Sequence, residues 1–186
     1  MLVTPQGKSI GQSAAINHYL AETLGFLGKD ATEAAAIVSF QEHLTELNNA
    51  WSKLVPYGTA PTDESFAAFF DEAAAPDVSG VAVRSTQPKR GFCWFVGRIE
   101  RLVGSNGFAV GSKLSLADVL LFRLLADVVP ADAANEKEAA HRREPFGSVA
   151  RVNAALAKCP KVKAILANVG SNSNLKKYLA ARPKHC

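Results

Sequence analysis

The string Gly111-Ser-Lys-Leu-Ser-Leu-Ala-Asp118, running directly into Val-Leu-Leu-Phe-Arg-Leu-Leu125, constrains this chain more than any other stretch. The second half is apolar on nearly every side of a 3.6-residue repeat, so it predicts a helix with no solvated face. Such a helix belongs at the centre of a bundle. A buried helix start leaves backbone amides without partners unless side chains supply them. Ser115 at the cap and Asp118 three residues on are placed to do so, and Asp118 also favours the positive end of the helix. Leu114 and Val119 flank the cap in the arrangement of a hydrophobic staple. Capping accounts for Ser115 and Asp118 in full, so they read as a structural motif with no catalytic role.

Other helices follow from the same kind of pattern. Ser13 to Leu24 carries Ile16, Leu20 and Leu24 on one face, with Gly25 as its stop. Asp30-Ala-Thr-Glu33 resembles a capping box, and the helix it opens carries Ile37, Phe40, Leu44, Leu47 and Trp51 before Pro56. Thr62 to Ala75 puts Phe66, Phe69, Phe70 and Ala73 on one side. Pro76 to Thr86 reads as a loop. Pro88 opens a helix with Phe92, Phe95, Val96, Ile99, Leu102 and Val103, stopped by Gly104. The central helix runs from Ser115 to Val129 and ends at Pro130. A charged loop over 131–144 precedes helices at Ser148–Lys158 and Pro160–Asn168. A Gly170-Ser-Asn-Ser loop then leads to a last helix around Leu175–Ala181. In front of all these, Gln6-Gly7 between Leu2–Thr4 and Ser9–Ile10 predicts a hairpin.

The fold class is therefore mainly α: a helical bundle preceded by a hairpin and a helix. Composition agrees, with 31 Ala among 186 residues and 48% hydrophobic content. Disorder and a disulfide scaffold are excluded by that apolar content and by three cysteines. Cys93, Cys159 and Cys186 form no C-x-x-C, which points to a reducing compartment, cytoplasmic or another. No signal peptide or membrane-length apolar run is visible. His18, His43, His141 and His185 give no ligand spacing, so no metal is expected. The net charge of +4 divides unevenly. All eight cationic residues from Arg151 to Lys184 stand without an acid among them, which leaves −4 on the part before Pro145. That end reads as a solvated helix face, and nucleic acid is not the expected partner.

Three segments together resemble the glutathione S-transferase family, with a sigma-class flavour. GSKLSLADVLLF resembles the capping and staple motif of its helical domain. IGQSAAINHYLAETLGFLGKDATEAA resembles the strand, Gln-Ser turn and helix that close its thioredoxin-like domain, followed by the linker to the first bundle helix. CPKVKAILANVGSNSNLKKYLAARP is similar to the C-terminal segment of sigma-class members. The resemblance implies that residues 1–27 are the end of a thioredoxin-like domain and residues 28–186 the C-terminal helical domain.

It also implies that Gln12 and Ser13 hold the γ-glutamyl end of glutathione, the co-substrate. The residues alone leave a second reading open, in which Ser13 caps a helix and Gln12 is a surface residue at a strand end. The family joins the glutathione thiolate to small hydrophobic electrophiles, using a Tyr or Ser hydroxyl to favour the thiolate. Met1 stands about where that domain's cis-Pro is expected, and no residue of this sequence matches the activating hydroxyl. Tyr19 reads as helix-face packing, and no catalytic residue is assigned. Phe40, His43, Leu47, Trp51, Phe92 and Phe95 are either lining for the electrophile or plain core, with core the expectation. Two partner readings follow: a glutathione transferase that forms a homodimer, or a non-catalytic scaffold subunit of a larger complex.

Overall fold

A computed structural model describes residues 1–71, 90–127 and 145–181. Its first element is a two-stranded antiparallel sheet, β1 (Leu2–Val3) and β2 (Ser9–Ile10), pairing Leu2 with Ile10 and Val3 with Ser9. The turn between them is tied at Thr4. Its N–H donates to the Lys8 carbonyl at 2.8 Å, and its hydroxyl and carbonyl accept the Lys8 and Gly7 amides. Gly7 takes φ +74°, a conformation glycine adopts without steric cost. Helix α1 spans Ser13–Thr23 and ends where Gly25 turns left-handed, with the Phe26 N–H on the Ala21 carbonyl.

The bundle comprises α2 (Ala31–Leu54), α3 (Asp63–Phe70), α4 (Phe92–Leu102) and α5 (Leu116–Leu125). After these come α6 (Val149–Ala155), which tightens into a 3-10 turn at Leu156–Lys158, then α7 (Pro160–Ser171) and α8 (Ser173–Ala181). The central position expected for the apolar helix is what the structure has: α5 packs most closely on α7 and α2. Leu121 and Ala117 are fully buried, as are Ile37 and Leu47 of α2 and Val162 and Ile165 of α7. A ring cluster of Trp51, Phe66, Phe69, Phe92 and Phe146 closes the other end, with Phe69 edge-on to Trp51 at 5.1 Å.

Several expectations need correction. The α1 stripe does not reach a core: Leu20 is 38% and Leu24 66% exposed, and Ala21 is the one fully buried residue of the helix. Leu102, placed on the core stripe of α4, is 68% exposed. Val119 also turns outward, so Leu114 packs on the core without a buried staple partner. Glu33 does not close a capping box on Asp30. Its carboxylate accepts the Lys29 N–H at 2.9 Å, while Asp30 alone caps through the Thr32 and Glu33 amides. Gly170 and Ser171 lie inside α7, not in a loop, and α8 starts at Ser173. Helix α7 passes so close to α5 that a Cβ on Gly170 would stand 3.2 Å from the Phe122 ring. Packing there outweighs the local cost of a helical glycine. Helix α5 ends at Leu125, with Ala126 as its cap. Ala73, the 76–86 loop, Pro88, the Pro130 stop, the 131–144 loop, His141, His185 and Cys186 lie outside the described residues.

Candidate ligand-binding site

The candidate site lies where β2 meets α1. Gln12 has φ 62° and ψ 125°, and among the described residues it is the one non-glycine with positive φ. This region costs a side-chain-bearing residue about 1–2 kcal/mol. Strain of that kind persists where the surroundings impose it, and it clusters at active sites, ligand clamps and switch regions. The Gln12 carbonyl opens the helix by accepting the Ile16 N–H at 3.0 Å. Gln12 is therefore the N-cap and Ser13 the first helical residue. The reading in which Ser13 caps α1 does not hold.

No side chain caps this helix start, and no acid occupies its first turn. Gln12 and Ser13 are both exposed. The first-turn residues are exposed and carry no side-chain cap at the positive end of the helix dipole, a setting that suits a carboxylate. The contrast with α2 is direct, because Asp30 occupies the equivalent amides there. Ser13 supplies a hydroxyl and Gln12 a carboxamide beside that amide row, a donor set that fits the charged end of a γ-glutamyl group.

The second sequence motif is fully internal. Asp118 is buried completely, and its carboxylate accepts the Ala109 N–H at 2.7 Å, the Ser115 N–H at 2.8 Å and the Ser115 hydroxyl at 2.6 Å. The Leu116 amide is taken by the Phe26 carbonyl at 2.9 Å. That bond ties the segment after α1 to the start of α5, and nothing in local sequence announces it.

The residues considered for an electrophile pocket are core. Phe40, His43, Leu47, Trp51, Phe92 and Phe95 are all buried. The His43 Nε2 faces the Phe95 carbonyl at 3.4 Å, with the Trp94 and Phe95 rings alongside. Burial lowers its pKa from 6.5, and Arg98 and Arg90 push the same way, while the Phe95 carbonyl and Glu46 oppose. An open groove of about 580 Å³ lies beside it between α2, α3 and α4, lined by Glu46, Asn49, Lys53, Arg90 and Phe95 among others. None of its lining residues comes from β1, β2 or α1. Cys93 and Cys159 are buried and in no disulfide among the described residues, and the Cys93 thiol donates to the Phe70 carbonyl at 3.4 Å. Burial, Glu100 and Cys93 raise the Cys159 pKa to about 11, so it is no nucleophile at neutral pH. Among the described residues no three His, Cys, Asp or Glu side chains gather as metal ligands. Tyr57 and Tyr178 are solvent-exposed.

Comparison with known proteins decides the family. The family model described as "Glutathione S-transferase, C-terminal domain" matches residues 89–182. The chain belongs to the glutathione S-transferase family. Among its relatives, "Probable glutathione S-transferase 7" of Caenorhabditis elegans is 29% identical over 186 residues, covering 98% of this chain and 73% of that protein. "Glutathione S-transferase A" of Cavia porcellus is 30% identical over 134 residues, 71% of this chain and 53% of that one. Solved structures share the fold. A Nu-class transferase from Haemonchus contortus superposes with TM-score 0.58 at 24% identity, over 96% of this chain and 71% of that one. A monomeric transferase from the hookworm Necator americanus does so with TM-score 0.57 at 23% identity, again over 96% and 71%.

Sequence reasoning named the Ser115–Asp118 cap that the structure has, but it missed Glu100. That residue of α4 caps α7 from 61 residues away, its two carboxylate oxygens accepting the Lys161 and Val162 amides at 3.0 and 2.9 Å. The available signal was negative: α7 opens on Cys159-Pro160 with no capping residue of its own.

Proposed function

We propose that this chain binds glutathione through the Gln12–Ser13 turn and serves the family reaction, conjugation of the glutathione thiolate to a small hydrophobic electrophile. The carrying observation is the uncapped start of α1 behind a strained Gln12. The exposed amides of the first turn take the γ-glutamyl carboxylate, and the Ser13 hydroxyl and Gln12 amide fix its orientation. In this reading residues 1–27 are the end of a thioredoxin-like unit and residues 28–186 the helical domain. The C-terminal segment from Cys159 carries the sigma-class likeness. Thiolate formation needs a hydroxyl that none of the three tyrosines of this sequence matches, so binding and turnover are separate questions. The buried thiols of Cys93 and Cys159, neither in a disulfide among the described residues, suit a reducing compartment.

Calorimetric titration of the folded chain with glutathione, against Gln12→Ala and Ser13→Ala, tests the binding. Saturable heat that either substitution reduces about tenfold or more is the expected result. Heat equal in all three proteins would sink the assignment. Turnover of an aryl halide with glutathione tests the reaction by itself.

A second reading rests on the front of the molecule, where Met1, Val3 and Leu24 are 91%, 57% and 66% exposed and the two-stranded sheet has open edges. Such a surface suits a covering partner, as in a homodimer or a larger complex in which the chain is a non-catalytic subunit. Native mass measurement separates these. A monomer that co-purifies with nothing would leave the first reading standing alone.

A further inference from the structure

The α4–α5 loop holds the one Asn-Gly pair of the sequence, Asn106-Gly107, with Asn106 exposed and Gly107 half-buried. Asn106 does two things there. Its Oδ1 accepts the Phe108 N–H at 3.2 Å, which folds the carboxamide back over the Gly107 peptide. Its Nδ2 donates to the Gly111 carbonyl at 2.8 Å, which closes the loop. Gly107 has φ +81°, which only glycine adopts freely, so the residue after Asn106 carries no side chain to shield its nitrogen. Among the described residues the Gly107 N–H has no hydrogen-bond partner.

We propose that Asn106 is a deamidation site, and that its conversion releases the α4–α5 loop. The Gly107 backbone nitrogen bonds to Asn106 Cγ as the Cγ–Nδ2 bond breaks. The amide proton leaves with the departing nitrogen as ammonia, and a five-membered succinimide remains. Water then opens the ring at either carbonyl to give aspartate or isoaspartate. No reactant other than water is consumed.

The structural consequence follows from what Nδ2 holds. A carboxylate at 106 has no donor for the Gly111 carbonyl, so oxygen faces oxygen. Gly111 has little room to shift in response, since the site of a Cβ on it lies 2.8 Å from Glu33 Oε1. The loop in question presents Ala109 to Asp118 and leads into the Ser115 cap, so its release reaches the start of the central helix.

Ageing of the full chain in mildly alkaline buffer, followed by peptide mapping with mass spectrometry, tests the chemistry. The Asn106 peptide is expected to gain the amide-to-acid mass and to split into aspartate and isoaspartate forms well ahead of the Asn172-Ser173 peptide. Equal rates at the two sites, or an unchanged Asn106, would overturn the proposal. For the consequence, Asn106→Asp is expected to melt about 3 °C or more below the parent, and below Asn106→Ser, which replaces the carboxamide by a shorter hydroxyl without adding charge. An Asn106→Asp protein as stable as the parent would refute the release. Should that variant fail to fold, the mapping kinetics and the melting of the aged parent still decide.

Discussion

The front of the molecule and its bundle are built from equally regular elements, yet they bury their side chains very differently. Helix α1 has eleven residues and one buried side chain. Helix α5 has ten residues and buries four, Asp118 among them. Both carry apolar stripes at helical spacing, so amphipathic pattern says where a helix wants contact but not whether contact is present. The helix starts differ in the same sense. The amides of α2, α3 and α5 are met by Asp30, Thr62 and the Ser115–Asp118 pair and those of α7 by Glu100, while α1 has no side-chain cap, a lack it shares with α4 and α6.

That contrast can be broken most forcefully at Asp118. Asp118→Ala strands two buried amides and a hydroxyl, and an expected loss of about 4 kcal/mol of unfolding free energy follows. Urea unfolding followed by Trp fluorescence reads it, and a loss under about 1 kcal/mol would mean that water replaces the carboxylate. Next in size is a matched pair of leucines. Leu121→Ala in the core is expected to cost about 3 kcal/mol, and Leu24→Ala on the exposed face of α1 less than about 0.5. A large cost at Leu24 would show that the front is covered in solution, and native mass measured alongside would identify self-association as the cause.

The smallest expected effect is the pH response of His43. Its folded pKa lies below 6.5, so the folded state favours the neutral ring. The unfolded chain then binds this proton first as pH falls, and stability drops on acidification through and below 6.5. His43→Phe should flatten that part of a melting-temperature profile between about pH 7 and about pH 5. An unchanged slope would assign the loss to other groups.

Much of the bundle was legible in the residues. The stripe Ile37, Phe40, Leu44, Leu47 and Trp51 is buried throughout, because α2 is long enough for its period to be unambiguous and its neighbours cover one face. Ser115 and Asp118 were equally readable, since capping acts across three residues. The same locality argument failed at Glu33, whose carboxylate reaches one residue further back, and at Gly170, where the Phe122 ring on another helix sets the spacing. For the candidate site, Gln12 and Ser13 could be named from sequence. The left-handed Gln12 and the vacant first turn could not, because backbone strain is imposed by the surrounding chain.

Spacing, propensity and capping chemistry act within one or two turns, so the chain alone was enough to specify the helices, most of their starts and the apolar centre at α5. The Glu100 cap on α7, the Phe26 bond to α5 and the exposure of Leu20 and Leu24 depend on what folding brings near. Contacts between residues tens of positions apart leave no periodic trace. They exist only once the helices have packed.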